Sequence, residues 1–148
     1  MFTNAATLTV NSTVTISQQP QNTTGCAGTP VTFSVAAQGT NVAYQWKFGA
    51  SVISGATNAT YSIASPTTAN NGSYSVDVTS TCGNTTSNSA TLTIYIPAAF
   101  STQPSAQTVC QGTNISLSIG INADASGPTY QWRKNGADIN VALNPTAL

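Results

Sequence analysis

The chain has 148 residues, three basic and three acidic, no histidine and a formal net charge of zero. A neutral chain without a Lys/Arg cluster lacks the electrostatic footprint of a nucleic-acid binder, and no apolar run approaches the ~18 residues of a membrane-spanning helix. Ser, Thr and Asn make up roughly 38% of the sequence, so hydroxyls and amides must keep it in solution. Plentiful Val, Ile, Thr, Tyr, Phe and Trp argue for strands and against disorder.

The sequence repeats itself. Residues 3–20 (TNAATLTVNSTVTISQQP) align with residues 87–104 (SNSATLTIYIPAAFSTQP), an offset of 84 positions that also carries Cys26 onto Cys110 and Gly28 onto Gly112. After a two-residue insertion, Tyr44-Gln45-Trp46 recurs as Tyr130-Gln131-Trp132. A period of this length suits a string of small domains better than a solenoid. The expected organisation is the last strand of one repeat (1–12), a complete repeat (13–96) and the front half of a third (97–148). Met1 reads as a fragment start, with any signal peptide lying outside the sequence.

Taken in order, Ala6–Val10 is expected to be the closing strand of the preceding repeat. Val14–Ser17 starts the first strand of the complete one, interrupted at Pro20 as suits an edge. Gly28-Thr29-Pro30 is a turn. Val31–Ala36 alternates, with Val31, Phe33 and Val35 on one face. Tyr44–Lys47 is the next strand, turning near Gly49, and the equivalent Asn135-Gly136 is a strong hairpin signal. Thr60–Ile63 follows. Tyr74–Ser80 then alternates with Tyr74, Val76 and Val78 inward. Cys82-Gly83-Asn84 is expected to turn into the last strand, Ala90–Ile96. Short alternating runs at this spacing, with no helical period, predict an all-β sandwich.

Gly28-x-x-Val31-x-Phe33-x-Val35, Tyr44-x-Trp46 and Asn70-x-Gly72-x-Tyr74-x-Val76 together resemble the immunoglobulin-like pattern, with its buried Trp and tyrosine corner. The wider pattern is similar to the immunoglobulin-like repeats of large secreted bacterial surface proteins, adhesins among them. The resemblance implies immunoglobulin-like β-sandwich repeats in tandem, with Val35, Trp46, Tyr74 and Val76 in the core and Trp132 as the core indole of the next repeat. Val35 and Val76 stand where the usual inter-sheet disulfide would be, so packing alone must fill that space. Asn70 replaces the usual acid of the tyrosine corner, so its salt bridge should be missing.

On that fold, Cys26 and Cys82 are expected roughly 30 Å apart at ~3.3 Å per residue, beyond the ~7 Å between Cα atoms that a disulfide spans. The expectation is an inter-repeat disulfide, with Cys26 (or Cys110) of one repeat facing the Cys82 position of the following one. A bond inside the repeat and free thiols are the alternatives. Either disulfide implies an oxidising, extracytoplasmic setting.

Chemistry-bearing constellations are scarce. Without His or Glu, and with Asp77, Asp124 and Asp138 scattered, no metal, cofactor or paired-carboxylate site is expected, and no enzyme. Lys47 and Asp77 invite comparison with the Lys–Asn isopeptide links of some bacterial immunoglobulin-like domains, but they are expected to form an exposed cross-strand ion pair. Six N-x-Ser/Thr sequons occur, at Asn11, Asn22, Asn58, Asn71, Asn84 and Asn114; a chain this rich in Asn, Ser and Thr produces several by chance. Tyr44 and Tyr61 are expected in core packing, not in sugar stacking. The functional expectation is an extracellular spacer repeat of a surface protein or filament supporting adhesion, with neighbouring repeats as its partners. The alternatives are a glycan- or protein-binding module and a subunit of an extracellular fibre.

Overall fold

A computed structural model describes residues 6–122, 125 and 127–139; Asp124 lies outside these. The chain divides into two compact units, Met1–Pro97 and Ala98–Leu148. In the first unit the strands are β1 (Thr15–Gln18), β2 (Thr23–Cys26), β3 (Val31–Ser34), β4 (Ala36–Gln38), β5 (Ala43–Phe48), β6 (Ser51–Val52), β7 (Thr60–Ile63), β8 (Gly72–Ser80), β9 (Gly83–Thr86) and β10 (Ala90–Tyr95). One 3-10 turn, Thr68–Asn70, leads into β8.

Two layers enclose the core. One is a six-stranded sheet in the order β2-β10-β8-β5-β6, with β9 folded back onto β8. The other is built from the antiparallel pairs β3–β7 and β1–β4. Alternation sets the inward face. Val31 and Phe33 on β3, Tyr74, Val76 and Val78 on β8, and Ala90, Leu92 and Ile94 on β10 are buried at every second position, the two-residue period of a pleated strand. Trp46 is 0% exposed at the centre. Phe33 stacks on Tyr74 at 4.8 Å and lies 6.1 Å from the indole.

Two local expectations are corrected, in the run Val31–Ala36 and at Gly83-Asn84. The run Val31–Ala36 is not one strand: it breaks at buried Val35, whose N–H reaches the Ala59 carbonyl (3.0 Å), and the chain changes partner from β7 to β1. The first strand breaks at Pro20 as expected, and beyond it the chain forms β2, which pairs in parallel with β10. Gly83 and Asn84 belong to β9, leaving Thr81 and Cys82 as the hairpin tip. Ala6–Val10 is described without strand pairing, with Leu8 and Val10 88% and 84% exposed; the rest of the repeat it is expected to close does not lie among the described residues.

The second unit contains β11 (Phe100–Thr102), β12 (Gly120–Ile121), β13 (Arg133–Lys134) and β14 (Ala137–Asp138). Asn135 and Gly136, with φ of 52° and 82°, make the two-residue turn between β13 and β14, the positive-φ pair that such hairpins favour. Several local structures of the first unit recur here. The Cys26 carbonyl accepts the Thr29 N–H (3.1 Å) and the Cys110 carbonyl accepts the Thr113 N–H (3.2 Å). Gln45 Nε2 donates to the carbonyls of Ile53 (2.8 Å) and Trp46 (3.2 Å). Gln131 Nε2 donates likewise to Ile139 (3.1 Å) and Trp132 (3.0 Å). The enclosure does not recur. Leu117 is 41% exposed where Phe33, 84 positions earlier, is 1%, and Trp132 is half-buried beside Phe100, Pro104 and Tyr130. No strands equivalent to β8 and β10 cover it among the described residues.

Candidate functional site

The core residues are positioned by cross-strand register. Trp46 pairs with Val76 across β5 and β8, and its indole N–H donates to the Asn58 carbonyl at 2.9 Å, so the buried ring leaves no polar atom unpaired. Val35 and Val76 both belong to the same apolar cluster. Each fully buried valine contributes about 1.5–3 kcal/mol by transfer. Tyr61 is half-buried against Trp46 (6.2 Å) and Tyr74 (6.0 Å).

The turn before β8 is organised by Asn70. Its Oδ1 accepts the Thr67 N–H (2.8 Å) and its carbonyl accepts the Tyr74 hydroxyl (2.9 Å). A neutral amide thus holds the corner without an ion pair. Burial pushes the Tyr74 hydroxyl above its ordinary value, the nearby Tyr61 adds to this, and the Asn70 hydrogen bond opposes it. A raised pKa means that the folded state holds its proton longer than the unfolded state. This stability is therefore complete below about pH 10 and is lost as pH rises beyond it. Tyr74→Phe should cost about 1 kcal/mol at pH 7 through the lost hydrogen bond and should flatten the alkaline decline. Urea titrations at pH 7 and pH 11 check both.

Lys47 and Asp77 form an ion pair on the outer face of β5 and β8, and Thr86 Oγ1 donates to the same carboxylate at 2.8 Å. Hydrogen bonding from Lys47 holds the Asp77 carboxyl below its usual range, against a smaller opposing effect of burial. The pair is about 30% exposed, less open than the sequence suggests, because Thr86 on β9 leans over it. Such partly exposed pairs are worth about 0–1 kcal/mol. No group of three His, Cys, Asp or Glu that could hold a metal occurs among the described residues. Ser54, Gly55, Ala56, Asn58 and Tyr61 line a polar surface depression, and none of them is a titrating acid, base or thiol in a catalytic arrangement.

The three cysteines are free and exposed. Cys26 lies opposite Tyr95, three residues beyond the Leu92–Gly72 pair, while Cys82 lies past Ser80 at the far end of β8. At ~3.3 Å per residue the strand steps between them span roughly 35 Å, so they mark opposite poles of the unit. Cys82 Sγ lies 3.6 Å from the Asn11 carbonyl, where the chain enters. Cys26 flanks Tyr95, where the last strand ends.

Sequence reasoning missed several polar residues that hold the sheet edges. Ser87 Oγ accepts the buried Val76 N–H (3.0 Å). Asn71 Oδ1 accepts the Ile94 N–H (2.6 Å), and Asn22 Oδ1 accepts the Thr91 N–H (2.8 Å). Two of the six sequon asparagines are thus engaged in tying backbone. The one signal for Gln45 was its recurrence as Gln131.

An all-β sandwich with a buried indole and a tyrosine corner defines an immunoglobulin-like fold. Residues 7–96 match the PKD domain model, and the chain belongs to that family. Among solved structures it is similar to the titin fragment I67–I69 in an E-to-A variant (TM-score 0.65, 20% identity, 88% of this chain and 50% of that one). It is also similar to Sidekick-1 immunoglobulin domains 1–5 (0.57, 22%, 88% and 29%) and to titin domains Z1Z2 in complex with telethonin (0.55, 25%, 91% and 75%). The chain spans half the length of the first titin structures it matches. No curated protein matches it in sequence. PKD and immunoglobulin-like domains are typically non-catalytic structural modules of extracellular and cell-surface proteins. Among the described residues no helix is long and apolar enough to cross a membrane.

Proposed function

We propose that this chain is a stretch of spacer repeats from a long extracellular surface protein or filament, copied end to end and supporting adhesion by holding another module away from the surface. The observation that carries this is the placing of chain entry and exit at opposite poles of the first unit, beside Cys82 and Cys26 respectively. A domain threaded this way extends a chain by its own length at each repeat. Residues 6–10 (ATLTV) repeat the buried pattern of Ala90–Ile94, yet their apolar side chains lie exposed. They fit the closing strand of a preceding repeat.

The surface chemistry agrees with a spacer. Charge is nearly absent, so salt should hardly alter its shape. Pro20 interrupts the strand that would otherwise offer a long edge to neighbouring molecules. Neighbouring repeats are the expected partners, and bacterial adhesin-type proteins are the expected context.

Pulling single molecules of the chain tests the spacer role. Unfolding of residues 13–96 should release about 25 nm of contour, at 3.3–3.6 Å per residue less the folded length. A glycan array probed with the same chain should give no specific hits. Specific glycan binding would favour the binding-module reading.

A further inference from the structure

The two polar contacts at the poles involve one repeat position. Residue 95 is residue 11 advanced by the repeat offset: Asn11 enters the first unit at one pole and Tyr95 leaves it at the other. The Tyr95 carbonyl accepts the N–H of Ala27, the residue after Cys26, at 2.9 Å. The Asn11 carbonyl has Cys82 Sγ at 3.6 Å. In successive copies these are the same carbonyl, seen once from the repeat it leaves and once from the repeat it enters. A carbonyl has two lone pairs and can hold both donors. The sulfur of one repeat then lies no farther from the Ala27 amide of the preceding repeat than those two lengths laid end to end.

We infer that Cys26 of each repeat and Cys82 of the next form a disulfide across the shared linker residue. This rests on the tandem reading above. Both thiols are exposed in the first unit, and the roughly 35 Å of strand between them excludes the alternative bond within one repeat. The Cys-x-Gly turn that presents Cys26 recurs at Cys110, with Gly28 and Gly112 at φ of 81° and 87°. The same thiol is therefore offered at the exit side of the following repeat. Bond formation removes one proton and one electron from each thiol. An external disulfide, such as oxidised glutathione or a thiol–disulfide oxidoreductase, takes them up and leaves as two thiols. The bond adds a second attachment between successive repeats and so stiffens the string.

The test is the full chain with residues 12–95 duplicated in place, oxidised with glutathione disulfide, alkylated and cut with trypsin. Cleavage at Lys47 of each copy and at Arg133 separates the relevant cysteines. Peptide 1–47 carries the first copy's Cys26, and the peptide from residue 48 of the second copy to Arg133 carries the second copy's Cys82. The expected product joins these two peptides and is released by reductant. Serine in place of Cys82 in the second copy should abolish it, whereas the same change in the first copy should leave it intact. A link from peptide 1–47 to the peptide holding the first copy's Cys82, or full alkylation of every thiol, overturns the inference. Single-molecule pulling of the reduced form separates the two readings. A second unfolding event of the same length supports the tandem bead whatever the thiols do, and its absence overturns both.

Discussion

Replacing Trp46 with alanine should unfold the first unit or leave it barely stable. The indole is fully enclosed between Phe33, Val76 and the Tyr61 ring. Truncations of buried aromatics cost about 3–5 kcal/mol through lost transfer energy and the cavity left behind. The Asn58 carbonyl would also lose its donor. Small domains of this size have about 5–15 kcal/mol in total, so most of the stability is at stake. Urea unfolding followed by far-ultraviolet circular dichroism should show the midpoint falling steeply or the transition vanishing. Fluorescence cannot stand in for this measurement, because the remaining indole, Trp132, belongs to the other unit. A midpoint within experimental error of the parent chain would mean that the indole does not close this core.

That residue was legible because the pattern around Tyr44-x-Trp46 resembles the immunoglobulin-like one, which carries a buried indole at this place. Tyr74, Val76 and Val78 were legible from strict alternation along their strand. The edges were not legible. Thr23-Thr24-Gly25-Cys26 has no alternating pattern to assign a face, and it becomes a strand only because β10 offers an unpaired edge. The break at Val35 likewise comes from distant partners, β7 on one side and β1 on the other. Strand pairing between residues as far apart as Thr23 and Leu92 is a tertiary decision that local propensity does not encode. The poles show both cases. That Cys26 and Cys82 lie too far apart to bond followed from strand direction and rise on the fold that the resemblance implies. That Cys82 reaches the Asn11 carbonyl and the residue after Cys26 reaches the Tyr95 carbonyl depends on β2 and on the path of residues 11 and 12, which needed coordinates.

Gly72 shows how a residue can be conspicuous in a pattern while its reason stays hidden. It opens β8 with φ of 148°, a conformation that side chains with a Cβ rarely adopt. A Cβ built there would come within 2.6 Å of the Phe48 ring. Phe48 cannot swing away freely, since its ring packs on Tyr74 at 4.9 Å. Gly72→Val should therefore combine backbone strain of about 1–3 kcal/mol with loss of an aromatic contact worth about 0.5–1.5 kcal/mol. The two add to roughly 1.5–4.5 kcal/mol if neither relaxes. A double-mutant cycle separates them. Phe48→Ala alone removes the ring contact, and adding Gly72→Val to it should then cost only the backbone part. Full cost of Gly72→Val in the Phe48→Ala background would place the whole effect in the backbone. No cost in either background would show that the first residue of β8 can leave the positive-φ region without disturbing the sheet.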